Sequence, residues 1–133
     1  MRYHSRVVFL VFFGLFLAAI PVWSHHSITS QFDPSKEGVV TGVLTKIDWV
    51  NPHVYTYVDV TDPKTGKVVS WAFEGNPPAT YHRAGIRKAD WKIGERVTVT
   101  FAAAKDGTSN LGFCKMIKYL SDGHTLVFRV GGE

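Results

Sequence analysis

From Gly38 onward, apolar and polar positions alternate along much of the chain. Between Gly38 and Val50, one set of positions carries Val39, Thr41, Val43, Thr45 and Ile47. The other carries Val40, Gly42, Leu44, Lys46 and Asp48. A period of two over that length predicts a strand. Asn51-Pro52 interrupts it, because Pro lacks the N–H that a ladder needs. His53 to Thr61 predicts a second strand, with Val54, Thr56, Val58 and Val60 against His53, Tyr55, Tyr57 and Asp59. Asp62-Pro63-Lys64-Thr65-Gly66 is turn chemistry, and Lys67 to Glu74 closes a hairpin. Pairing Thr61 with Lys67 sets Tyr57 opposite Trp71, Tyr55 opposite Phe73 and His53 beside Gly75. A one-residue slip pairs His53 with Glu74 directly, and the pattern alone leaves that register open.

The alternation then stops. Asn76-Pro77-Pro78-Ala79-Thr80-Tyr81-His82-Arg83-Ala84-Gly85 predicts a short helix. Asn76 is its expected cap, Pro77 or Pro78 fits the first turn, and Gly85 fits the stop. Glu95 to Ala103 predicts a fourth strand, Lys105 to Asn110 a polar loop, and Gly112 to Leu120 a fifth strand. Asp122-Gly123 turns the chain into a last strand, Thr125 to Val130. Three strands, a helix, then two or three strands is the element order of a small OB-like β-barrel, an all-β fold with one short helix. The helix between the third and fourth strands argues against a two-sheet sandwich. Trp49, Trp71, Phe73, Trp91 and Phe101 are the expected bulk of the core. The barrel domain is expected to span 38–133, preceded by an N-terminal segment, 25–37.

Residues 1–24 have the pattern of a secretory signal peptide. Arg2 and Arg6 precede the uncharged run Val7 to Ile20. Pro21 breaks that run, and Val22-Trp23-Ser24 places small-enough residues at −3 and −1 of a cut after Ser24. The alternative is an uncleaved anchor. Fourteen residues rise about 21 Å as a helix, short of a hydrocarbon core of about 30 Å. The expected address is therefore the periplasm or outside the cell, with no membrane attachment after cleavage.

The chain has 133 residues, of which 45% are apolar and 20% charged, with a formal net charge of +4. That suits one folded domain and excludes a disordered chain. Removing Arg2 and Arg6 leaves 13 basic residues against 11 acidic ones, so the mature chain carries +2. So small a charge argues against nucleic acid as a partner. The single cysteine, Cys114, excludes an internal disulfide. It reads as a buried small hydrophobe in Phe113-Cys114-Lys115-Met116-Ile117, with an intermolecular bridge or reactive thiol as the other reading.

Four stretches carry a resemblance. The first is His25-His26-Ser27 followed by Phe32-Asp33, and the second is Gly42-Val43-Leu44-Thr45-Lys46-Ile47-Asp48-Trp49-Val50-Asn51-Pro52-His53. The third is Trp71-Ala72-Phe73-Glu74, and the fourth Gly94-Glu95-Arg96-Val97-Thr98-Val99. Together they resemble a bacterial family of small exported proteins of unknown function. The resemblance covers the mature chain, and Trp49-Val50-Asn51-Pro52-His53 is its most specific part. It implies an exported address and the barrel fold, and no reaction.

Histidines carry the candidate chemistry. Cleavage after Ser24 makes His25 the new N-terminus, so its α-amine and imidazole can chelate one metal ion. One further imidazole completes a T-shaped set of three nitrogens, which suits copper before other metals. His26 offers a second chelate through its imidazole, backbone amide and the amine. His53, behind the Asn-Pro corner, is the candidate for the third ligand. Glu74 is expected to orient His53 or to add an oxygen ligand, and His82 is expected at the same barrel end. The plainer reading is a solvated His-His start with His53 bonded to a backbone carbonyl. A different class of function is a non-catalytic module whose second and third strands take a small ligand or an envelope protein. Exposed Tyr55, Tyr57 or Trp71 would mark it. No nucleophile–base order, phosphate loop or assignable carboxylate pair points to an enzyme.

Overall fold

The computed structural model describes residues 28–128. A four-residue helix, α1 (Ile28–Gln31), leads into the long strand β1 (Phe32–Asp48). Strands β2 (Tyr55–Thr61) and β3 (Val68–Glu74) follow, then helix α2 (Pro78–Arg83) and a 3₁₀ turn at Lys88–Asp90. Strands β4 (Arg96–Ala104), β5 (Leu111–Tyr119) and β6 (Thr125–Val127) complete the described chain. The sheet order is β3-β2-β1-β4-β5-β6, with antiparallel neighbours. A short parallel pairing sets Ala72, Phe73 and Glu74 of β3 beside Leu111, Gly112 and Phe113 of β5. That seam partly closes the sheet into a ring, with α2 between β3 and β4. The OB-like all-β expectation holds, with closure partial rather than complete. Among the described residues no helix is long and apolar enough to cross a membrane. The expected signal segment lies outside the described residues.

Two irregularities alter the expected strands. β1 begins at Phe32, six residues before the alternation becomes visible. Phe32 and Asp33 already pair with Ala104 and Ala103, and the ladder resumes at Glu37 opposite Ala102. Pro34, Ser35 and Lys36 bulge out between them, which hides the strand behind a polar, proline-containing stretch. Asp33 Oδ1 stabilises the bulge by accepting from Ser35 N (3.1 Å) and Ser35 Oγ (2.6 Å). Further along β1, a register shift between Leu44 and Lys46 swaps the faces. Val40 and Leu44 therefore pack in the core with Ile47, while Val39 and Val43 are exposed. Neither sequence-based face of this strand survives whole.

The hairpin register also differs from expectation by one residue. Thr61 pairs with Val68 rather than Lys67, so Tyr57 faces Ala72 and Tyr55 faces Glu74. The turn explains the shift. Asp62 still joins the ladder through its N–H to the Lys67 carbonyl (2.8 Å), while its side chain accepts from the amides of Lys64 and Thr65. The loop proper is thus shorter than the run of turn residues suggests.

The core is aromatic and built across the ring. Phe73, Trp91 and Phe101 are buried as expected. Trp49 and Trp71 are half-buried against them. Trp91 Nε1 donates to the Thr56 hydroxyl at 2.9 Å, which satisfies both polar groups inside the core. Phe101 packs on Trp71 and Phe73, with ring centroids 5.1 and 5.2 Å away. Its ring fills the space that Cβ atoms at Gly38 and Gly112 would occupy. Phe32, Ala102 and Phe113 form a second buried cluster, covered by Ile28, Ala104 and Leu111. Pro77, not Asn76 as expected, occupies the N-cap position of α2 and makes no side-chain cap bond, while the Asn76 N–H donates to the Tyr81 hydroxyl (2.9 Å). The helix stops as expected at Gly85, whose φ of 77° permits the left-handed turn.

Gly112→Ala tests the aromatic closure. The new Cβ would meet the base of the Phe101 ring, which cannot swing away, and lie 3.0 Å from the Ala102 carbonyl oxygen. A loss of about 1–3 kcal/mol is expected, read as a lower urea midpoint at unchanged slope. An unchanged midpoint would mean that the Phe101 packing does not govern stability.

Candidate functional site

The end of β3 and the start of β2 form the site. His53 follows Asn51-Pro52, whose bond is cis, and lies two residues before β2. Two backbone bonds then fix the strand there. Val54 N–H donates to the Asn76 carbonyl (3.2 Å), and Gly75 N–H donates to the Val54 carbonyl (2.8 Å). His53 and Gly75 are thereby held side by side. His53 Nδ1 lies 3.0 Å from the Gly75 carbonyl oxygen and 3.2 Å from Glu74 Oε1. A carbonyl oxygen can only accept, so Nδ1 carries the proton. In the neutral ring, Nε2 then keeps its lone pair.

Glu74 is the hub of this cluster. It is only 8% exposed. Its Oε1 faces His53 Nδ1, and its Oε2 accepts from the Tyr55 hydroxyl at 2.9 Å. The pair Tyr55–Glu74 follows from the observed register, because the two residues sit directly opposite each other and so share a face. Burial, and then the bond to Glu74, push the Tyr55 phenol up to about 12.

A second set of polar groups continues across β1. Asp48 pairs with Tyr55 and Lys46 with Tyr57 in the ladder. Lys46 Nζ bonds Asp48 Oδ2 at 2.8 Å and lies 4.9 Å from the centre of the Tyr57 ring. The Lys46 bond holds the Asp48 carboxyl below its ordinary value. Burial, then a bond to Asp48, raises the Tyr57 phenol.

The predicted site residues therefore divide. His53 and Glu74 come together. The backbone-carbonyl bond of the plainer reading is present at His53, and so is the carboxylate contact. His82 is exposed on α2, with its ring tilted against Trp49 and centroids 5.6 Å apart. His25 and His26 lie outside the described residues. Among the described residues, no three His, Cys, Asp or Glu side chains gather to hold a metal ion. A chelate at this site would need donors from outside that set.

The aromatic residues that would mark a stacking platform are half-buried, and each is already engaged. Tyr55 is bonded to Glu74, Tyr57 faces Lys46, and Trp71 stacks on Phe73 at 5.8 Å. Cys114 is buried, and burial pushes its thiol far up from its ordinary range. A buried small hydrophobe is thus what the structure contains. A pocket of about 270 Å³ lies elsewhere, between α1 and the β4–β5 turn, lined by Ser30, Phe32, Lys105 and Leu111 among others. Tyr55 is the residue that sequence reasoning missed. Its alternation with His53 was visible, but the register error of one residue placed it opposite Phe73.

Residues 14–113 match the family model described as a family of unknown function (DUF6152). No curated protein and no solved structure matches the chain.

Two measurements follow from this geometry. Tyrosinate absorbance, taken as the difference from Tyr55→Phe, should show Tyr55 ionising near pH 12, and Glu74→Gln should bring it down without restoring 10.0, because burial is the larger cause. The raised value also adds stability that is present below pH 10 and is lost as the pH climbs toward 12. If Glu74→Gln leaves that titration in place, the Tyr55–Glu74 bond is not made in solution. Separately, Cys114 should resist a thiol reagent at pH 8 in the folded protein and react once the protein is unfolded. Rapid labelling of the native protein would contradict its burial.

Proposed function

The chain belongs to the DUF6152 family of unknown function, and we propose that it is an exported, non-catalytic protein that binds a transition metal ion, copper first. The ligands are the α-amine and imidazole of His25, with His26 beside them, and Nε2 of His53. The observation that carries this reading is the state of His53. With the Gly75 carbonyl accepting from Nδ1 and Glu74 Oε1 3.2 Å from the same nitrogen, the other nitrogen is the one available to a metal, and the side chain is 24% exposed. Carboxylate and carbonyl partners on the far nitrogen are what metal-bound imidazoles commonly have.

The N-terminal donors stand close in sequence to Ile28, a residue packed near the β3–β5 seam. Ile28 packs on the cluster that contains Phe113. Phe113 sits opposite Glu74 across the β3–β5 seam, and neighbouring strands are about 4.8 Å apart. His25 is three residues before Ile28, a reach of about 10 Å of extended chain. The sequence supplies the rest: a basic, apolar leader ending at Ser24 would expose the His25 amine on export. Amine and imidazole nitrogens favour Cu(II) in a tetragonal field.

The test is a Cu(II) titration of the exported protein, its N-terminus confirmed by intact mass, followed by electron paramagnetic resonance. One equivalent should bind with nitrogen hyperfine structure. His25→Ala, His53→Ala and an added N-terminal Gly should each lower affinity by at least about tenfold, the scale for losing a nitrogen donor or its support. Binding that ignores His53→Ala and the extra Gly would sink this reading. It would leave a barrel whose ligand or envelope partner must be sought by capture from the periplasm.

A further inference from the structure

Glu74 has two oxygens, and both are in use. Oε1 faces His53 Nδ1 at 3.2 Å, and Oε2 accepts from the Tyr55 hydroxyl at 2.9 Å. The residue is buried at the β3–β5 seam. Each oxygen thus has a partner, and burial leaves little of the carboxylate open to an incoming ion. That separates two roles that the sequence leaves open for Glu74, orienting His53 or ligating metal.

From this geometry we infer that Tyr55 and Glu74 form a positioning pair, which holds His53 in its Nδ1–H tautomer, and that Glu74 is not itself a ligand. The inference rests on the metal-binding reading for its consequence, though not for its first test. Three features carry it. Tyr55 and Glu74 are opposite one another in the ladder, so strand pairing sets the direction of their bond. The Gly75 carbonyl, 3.0 Å away, is the hydrogen-bond acceptor of Nδ1, and Glu74 Oε1 stands 3.2 Å from the same nitrogen. The Val54–Asn76 and Gly75–Val54 bonds fix the backbone beside His53 and Glu74.

The consequence is a choice of metal class. With Glu74 withheld, the ligands available are nitrogens. Such a set suits Cu(II), Ni(II) or Zn(II), and does not suit Ca(II) or Mg(II), which seek carboxylate and carbonyl oxygens. A freely presented Glu74 would blur that distinction. Tyr55 therefore acts on selectivity through Glu74, without touching the ion.

The experiment begins on the metal-free protein, with proton–nitrogen correlation spectra of the histidine side chains. His53, assigned by comparison with His53→Ala, should show a protonated Nδ1 and an unprotonated Nε2. Its Nδ1 proton should exchange slowly. In Glu74→Gln that proton should move upfield as the charged acceptor is lost, and in Tyr55→Phe it should exchange faster. A protonated Nε2, or spectra unchanged in both variants, would overturn the positioning role. Copper is then added. Glu74→Gln should weaken Cu(II) binding by about 10- to 100-fold while stoichiometry and nitrogen hyperfine structure persist. Tyr55→Phe, which keeps the ring and its packing, should act in the same direction and less strongly. Loss of an oxygen ligand signature, or Ca(II) competing with Cu(II) in the wild type, would instead make Glu74 a ligand and overturn the inference. If the wild type shows the expected tautomer but takes up no stoichiometric copper, the metal-binding reading fails and the positioning pair stands.

Discussion

The ring of Phe101 is the contact on which the barrel turns. Gly38 on β1 and Gly112 on β5 carry no side chain where that ring lies, and Trp71 and Phe73 on β3 pack against it. One side chain from β4 thereby touches residues from every strand that must come together for closure, apart from β2. The short parallel pairing of β3 with β5 contains Phe73 and Gly112 as direct partners. Three rungs of parallel ladder would be a weak closure alone. Burying stacked aromatic surface behind it, at about 25 cal/mol per Å² of apolar area removed from water, is the larger contribution. The Trp91–Thr56 bond then lets an indole sit in that core without leaving a polar atom unpaired.

Much of this was legible in the chain, and the losses have definite causes. Element order and type came through because Pro, Gly and alternation mark boundaries strongly: Asn51-Pro52, Asp62–Gly66 and Gly85 each stand where the backbone turns. The start of β1 did not come through. Asp33-Pro34-Ser35-Lys36 reads as loop, and it is indeed looped out, but as a bulge inside a strand that began at Phe32. The face assignment of β1 failed at the Leu44–Lys46 shift, since one extra residue reverses everything beyond it. Trp49 and Trp71, expected in the core, do pack against it but are only partly buried.

The site was legible to a similar depth. His53 and Glu74 stood out as residue types, and their proximity followed from any register near the right one. Tyr55 did not stand out, because which residue faces Glu74 depends on a single step of register. That step is decided by whether Asp62 belongs to the turn or to the ladder. It belongs to both, side chain to one and backbone to the other, a division that residue identity does not reveal. His82, expected at the same barrel end, lies on α2 with its ring against Trp49, two residues before the Asn51-Pro52 corner.

Glu74 also occupies the last rung of the β3–β5 seam, beside Phe113. The same residue therefore belongs to a polar cluster and to the join that makes an open sheet into a ring. Any ligand that engages His53 preferentially when the ring is shut draws on that shared membership. By thermodynamic linkage, occupancy then tightens the closure, and closure tightens occupancy, by equal free energies. In such a domain, binding at His53 would register at the seam as added stability, without moving any element far.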